Sequence, residues 1–330
     1  MRRAGLVPSW GMRPVGERIV LAAFLAGAVL AGGNGVAIRF SNRELEPLWG
    51  ASLRFALAGG LMLAATAFLR RSLPRGRALV GTLLYGGLTF GAAFALAYYA
   101  LVRVHAGLGQ VLLGLVPLAT LLLASLQRQE RFHRAGAFGA ILAVAGFAVM
   151  SQEPLREGVP LVSLLAAVGS ALCFAQGALV VRRFPPAQPL ATNAVAMSVG
   201  AALLLAGSVV AGERPELPQE PETWAALAYL VAVGSVVVFA LYLFVLRHWS
   251  AGRTAYQFAV IPVVTVALSA WLDAEPVTSG LVIGGLLVLG GVYVGAFRLP
   301  PAERRREAGP GRRRIRARRS AARGAPGGGA

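Results

Sequence analysis

The sequence predicts an all-α polytopic membrane protein with ten transmembrane helices arranged as two inverted five-helix repeats. Hydropathy, charge placement and an internal repeat lead to that fold class. Of 330 residues, 56% are hydrophobic and 14% charged, against about 25% charged in soluble domains. A soluble chain of this length still needs a charged exterior. Here the charges crowd into short joins and leave long stretches bare.

Ten apolar segments approach the roughly 20 residues that cross about 30 Å of hydrocarbon. They run at 19–38, 48–69, 78–100, 107–126, 134–150, 160–181, 190–210, 224–246, 254–272 and 279–297. The first follows Arg2, Arg3, Arg13 and Arg18. Its length exceeds the 7–15 apolar residues usual in a secretory signal, so it reads as a span. Short polar joins at 70–77, 127–133 and 182–189 separate later spans, and 211–223 forms the longest internal loop. Helices satisfy their own backbone groups in lipid. The alternating segments of about ten residues that mark a membrane β-barrel are absent.

Charge alternates from join to join. Arg70, Arg71, Arg75 and Arg77 follow span 2, Arg182 and Arg183 follow span 6, and Arg247 and Arg253 flank the join after span 8. The intervening joins are neutral, carry Arg103 alone, or are net acidic, as with Asp273 and Glu275. The excess of Arg in alternate joins predicts both termini in the cytoplasm. Trp49, Trp224 and Trp271 fall at the expected outer ends and Trp249 at an inner end.

The repeat appears on shifting the chain by 145 residues. Pro117 then meets Pro262, Thr120 meets Thr265 and Glu130 meets Glu275, while Gly107, Gly139 and Gly146 meet Gly252, Gly284 and Gly291. Near the start of each half a shift of 142 matches Gly35 to Gly177 and Pro47 to Pro189. Five spans per half is an odd number, so the second half enters the membrane in the opposite sense. Inverted repeats of this kind suit alternating access. The expected divisions are a cytoplasmic segment 1–18, repeats at 19–150 and 160–297, an extracytoplasmic linker 151–159 and a basic disordered cytoplasmic tail 298–330.

The formal charge of +18 raises the question of nucleic acid, but no recognition motif accompanies it. Every Lys or Arg is Arg, and residues 300–330 hold ten of them, a composition suited to contact with anionic lipid. Cys173 stands alone, and His105, His133 and His248 form no metal-ligand spacing. No phosphate-binding Gly-rich loop is present. The sequence calls for no cofactor and no catalytic group, and leaves proton coupling open.

Polar residues inside spans point to the translocation path. Arg54 lies one or two turns from the outer end of span 2, where it suits snorkelling with interhelical bonds, a substrate carboxylate or phosphate, or an outer gate. Asn34 and Gln110 fall at the level of Tyr98 and Tyr99, towards the predicted outside. Gln176, Asn193, Tyr242 and Gln257 fall towards the inside. Two polar rims around an apolar centre follow, although each amide also suits simple helix–helix bonding. Pro117 and Pro262 are expected to kink spans 4 and 9. Glu130 and Glu275 lie just beyond those spans, where an interfacial cap or salt bridge is the simplest role.

The stretches Pro47-Leu48 with Leu53-Arg54-Phe55, Tyr98-Tyr99-Ala100-Leu101, Ala106-Gly107 to Pro117-Leu118 and Glu130-Arg131 resemble the drug/metabolite transporter superfamily. Together with Leu241-Tyr242, Pro262, Glu275 and Gly284 to Gly291, they are similar to bacterial EamA-type permeases from about 17 to 297. The second half departs from that pattern at Pro276 and has Leu243-Phe244 where the first half has its Tyr pair. The resemblance implies a permease of the bacterial cytoplasmic membrane that exports or exchanges a small polar metabolite such as an amino acid. A membrane enzyme acting on a lipid-linked substrate, or a non-transporting assembly protein, is the alternative. The first lacks a cluster of catalytic groups, and the second requires no polar rims.

Overall fold

A computed structural model describes residues 16–127, 134–249, 251–255 and 257–297. The expectations for residues 1–15, for Glu130 and for the tail from 298 onward lie outside the described residues. The helices are α1 Glu17–Ser41, α2 Pro47–Phe68, α3 Gly76–Leu101, α4 Ala106–Leu126 and α5 Arg134–Arg156, followed by α6 Leu161–Arg183, α7 Pro189–Ala211, α8 Pro221–His248, α9 Arg253–Leu272 and α10 Ser279–Phe297. Among the described residues eight of them are long and apolar enough to cross a membrane, and α5 and α10 join them as a packed pair.

Local sequence sets the ends. Pro47, Pro189 and Pro221 occupy the first turns of α2, α7 and α8, where a missing N–H costs nothing. Gly212 closes α7 in the left-handed region at φ 73°. α4 is interrupted at 114–115, and Pro117 sits in the first turn of the segment that resumes there. The expected kink is therefore a break one turn upstream of the proline. Pro262 lies within the continuous part of α9, and its ring faces the break in α4 beside Gly114.

Large apolar side chains face outward, as Leu21, Leu25 and Val29 do on α1, in the way a lipid-facing surface requires. Small residues sit where helices approach most closely. α5 and α10 approach so closely that a methyl on Gly146 would stand 2.6 Å from the Gly284 carbonyl oxygen. α2 pairs with α7 in a similar way. The main pairings run between the first five helices and the second five. α1 packs on α9 and α8, while α6 packs on α4 and α3.

The joins collect at two ends. Residues after α1, α3, α7 and α9 meet at a carboxylate-rich end, where Arg39, Val104, Glu213 and Asp273 all form contacts. At the opposite, arginine-rich end, Arg253 pairs with Glu17 at 2.9 Å and Arg182 bonds the Leu246 carbonyl at 2.7 Å.

Candidate functional site

Two π-helical turns shape the centre. Gly86–Ala93 in α3 and Ala232–Val237 in α8 both wind with the wider i→i+5 pattern, which is frequent at functional sites. The 145-residue offset carries 86–93 onto 231–238, so the two turns occupy matching places in the two halves. Each turn meets a helix of the other half. Gly86 faces the Ala196 carbonyl of α7, and Gly234 faces Asn34 of α1 and Arg54 of α2.

Arg54 is fully buried and does not snorkel. Its Nε donates to Ser235 Oγ at 2.8 Å and its Nη2 to the Gly234 carbonyl at 3.0 Å. Asn34 Nδ2 donates to the same carbonyl at 3.4 Å. The guanidinium carbon stands 4.9 Å from the ring centroids of both Phe55 and Phe94. Tyr98, also fully buried, interacts electrostatically with the guanidinium. Asn34 Oδ1 lacks a hydrogen-bond partner, and Arg54 Nη1 and Tyr98 Oη have none beyond their contact with each other. Among the described residues no carboxylate pairs with Arg54.

Next to this cluster lies a central cavity of about 50 Å³ with lining from α1, α3, α4, α6, α8 and α9. Its polar lining is Asn34, Gln110, Tyr242 and Gln257, and Phe94, Phe174, Phe239 and Phe258 supply aromatic walls. Gln257 Nε2 donates to the Phe24 carbonyl at 3.1 Å and leaves Oε1 without a partner. The cavity has room for a few waters. Asn34 and Gln110 of the first half and Gln257 of the second thus line one chamber.

The remaining sequence-predicted residues lie elsewhere. Tyr99 is 47% exposed on the outer surface, because adjacent helical residues point about 100° apart. Asn193 is buried and donates to the Phe239 carbonyl at 2.8 Å, joining α7 to α8. Gln176 accepts from Gln127 at 2.6 Å, joining α6 to α4.

Glu275 is buried at the carboxylate-rich end and caps α4. Its oxygens accept from the backbone N–H of Ala106 at 2.7 Å and Gly107 at 3.1 Å. Arg39 Nε lies 3.0 Å away and His105 Nδ1 3.6 Å away. Burial raises the carboxyl's pKa, but His105, the two amides and Arg39 outweigh it and hold the group at about 2. The Glu275 contact raises the His105 pKa in turn. Glu213 caps α2 at the Leu48 and Trp49 amides, at 3.1 and 2.7 Å, and Glu44 bonds the Gln219 and Glu220 amides that lead into α8. Each of these three carboxylates belongs to the half opposite the segment it holds.

The arginine-rich end is looser. A cavity of about 280 Å³ opens there between α3, α6, α7 and α8, beside Thr82, Arg182, Thr192 and Arg247. Among the described residues no group of three or more His, Cys, Asp or Glu side chains could hold a metal ion.

Sequence reasoning missed Gly234, Ser235, Arg39 and Asp273. Small residues are too common in this chain to mark a π-turn, and charges in a join do not reveal which join they meet.

The model of the EamA-like transporter family matches residues 18–152 and again 161–296. The uncharacterized inner membrane transporter YedA of Escherichia coli K12 is 28% identical over 240 residues, covering 72% of this chain and 78% of its own. The uncharacterized transporter YyaM of Bacillus subtilis is 26% identical, over 79% of this chain and 89% of its own. An Escherichia coli K12 protein described as a "Probable amino-acid metabolite efflux pump" is 26% identical, over 82% and 92%. A solved crystal structure shares the fold with a TM-score of 0.64 and 21% identity, over 86% of this chain and all of its own.

Proposed function

The chain belongs to the EamA-like transporter family, and on that premise we propose that it carries a small polar metabolite across the membrane by alternating access. The observation that carries this reading is the central cavity, which both halves line and which concentrates Asn34, Gln110, Tyr242 and Gln257 in an otherwise apolar interior. A non-transporting assembly protein has no use for unsatisfied amide oxygens at its centre.

The two halves read as inverted five-helix repeats, at 19–150 and 160–297. The tandem family matches, the paired π-turns and the reciprocal pairing of α1–α9 with α6–α4 support that reading. With Arg concentrated at one end, both termini lie in the cytoplasm. A cytoplasmic (inner) membrane location agrees with the name of YedA, and a small amino-acid-like cargo with that of the efflux relative. The carboxylate-rich outer end is then held shut by ion pairs and caps, while the inner end retains the larger cavity. Parting the outer contacts and closing the inner cavity exchanges access to the chamber.

A solute screen in proteoliposomes, with pH and membrane potential set independently, tests this. Saturable flux of a small polar solute is the expected result. Absence of flux across amino acids, their amides and simple carboxylates contradicts it. Flux indifferent to both gradients identifies facilitated exchange, and dependence on pH identifies proton coupling.

A further inference from the structure

We propose that Arg54 and the Tyr98 hydroxyl form the receptor for a carboxylate on the transported solute, which makes the cargo a small organic acid or a zwitterion with a free carboxylate. This rests on the carrier reading above and narrows it to a substrate class.

An arginine inside a membrane span is costly, about 2.5–3.5 kcal/mol on insertion scales, and such a charge is ordinarily matched by an acid. Arg54 stands seven residues into α2, about 10 Å below its start at 1.5 Å per residue. It is wholly buried, so no lipid headgroup reaches it. Its partners are a hydroxyl, a carbonyl and two aromatic rings. The acids closest in function are committed elsewhere: Glu213 to α2, Glu44 to the entry of α8, Glu275 and Asp273 to Arg39.

The free valences also point one way. Nη1 of Arg54 and Oη of Tyr98 have no partner beyond each other, and a phenol oxygen that accepts from the guanidinium keeps its own proton free to donate. A carboxylate accepts from both at once, with its planar oxygens suited to the guanidinium fork. The solute chamber is one side chain away. Phe94, which stacks under Arg54, and Asn34, which shares the Gly234 carbonyl with it, both line the cavity. Both existing bonds of Arg54 run to α8, in the opposite half. Separation of the halves breaks them and leaves a buried cation that an arriving carboxylate satisfies. Binding energy is thereby tied to the conformational exchange.

The test is flux into proteoliposomes at clamped zero potential for matched pairs of probes: L-threonine, L-phenylalanine and benzoate, each beside its amide. Wild type is expected to move acids at least about tenfold faster than the amides. Arg54→Gln should lower the ratio of acid to amide flux about tenfold or more, a ratio that a general change in the rate of conformational exchange leaves unmoved. Tyr98→Phe, a smaller change that leaves the ring in place, should raise the acid KM roughly threefold to tenfold and leave kcat near wild type. Equal loss of acids and amides in Arg54→Gln assigns Arg54 to helix packing alone and overturns the proposal, as does wild-type flux of amides matching that of acids. If Arg54→Gln does not fold, an unaltered acid KM in Tyr98→Phe overturns it. Absence of flux for every probe overturns the carrier reading itself, an outcome distinct from unselective flux.

Discussion

Arg39, at the last turn of α1, reaches Asp273 beyond α9, with Nε 3.1 Å from Oδ2. The same guanidinium lies 3.0 Å from Glu275 and donates to the Val104 carbonyl at 3.0 Å. Arg43 pairs with the other oxygen of Asp273. One cation thus ties α1, the α3–α4 join and the α9–α10 join together at a single end of the molecule.

Arg39→Gln should loosen that end. With Cys173→Ser as background and a cysteine at Ser269, which lines the small cavity beside Glu275 and is 2% exposed, a membrane-impermeant maleimide should label several-fold faster. An unchanged labelling rate means the ion pairs do not restrain this end.

Glu275→Gln removes charge-assisted bonds to two backbone donors. The loss of such a cap costs about 1–2 kcal/mol, read as a lower unfolding midpoint in detergent. The pH dependence follows from the depressed pKa. Glu275 binds fewer protons folded than unfolded, so its contribution is full above the ordinary carboxylate value near 4.5 and fades as pH falls through about 2. His105 runs the other way. Its raised pKa contributes stability below the ordinary value of 6.5 that is lost as pH rises through the folded value. His105→Gln should flatten the melting profile on the alkaline side of 6.5, and an unaltered slope there contradicts the His105–Glu275 contact.

Gly234→Val places a side chain onto Asn34 Oδ1 and 3.2 Å from Arg54 Nη2. Both groups bond the Gly234 carbonyl, so moving them aside breaks those bonds, and loss of flux and of about 1–3 kcal/mol of stability is expected. Gly60→Ala is the control. It meets nothing within 4 Å, and should match or exceed wild-type stability. Similar behaviour of the two variants in a thermal melt removes the role assigned to the α8 π-turn.

Gly146→Leu forces α5 away from the Gly284 backbone. That contact lies outside the central chamber, so the melting temperature should fall while solute preference among surviving molecules is retained. A change in the ratio of acid to amide flux would place this seam in the solute path.

The helices were legible because hydropathy alone distinguishes an apolar run from an Arg-rich join. Their precise winding was not. The break at 114–115 lies in an apolar stretch where Pro117 withholds an N–H from the carbonyl four residues back, and the fit of Gly114 against Pro262 and Phe258 of α9, which is tertiary, is not visible in the sequence. Of the candidate residues, Asn34, Gln110, Tyr242 and Gln257 come together in one cavity, as polar groups in apolar spans must find partners or water. Tyr98 and Tyr99 could not be separated by composition, yet helical geometry turns one inward and the other out. Arg54 stood out by charge, but the widened turn of α8 that receives it leaves no mark in a Val- and Ala-rich segment.

The most direct test of alternating access is flux through a molecule clamped at its carboxylate-rich end. Cysteines replacing Arg39 and Asp273, in the Cys173→Ser background, would be bridged by a short bismaleimide in proteoliposomes and solute flux measured before and after. Single-cysteine proteins treated with the same reagent control for loss of the ion pair. The account predicts that bridging abolishes flux while the single-cysteine proteins keep theirs. Undiminished flux through the bridged protein would contradict it.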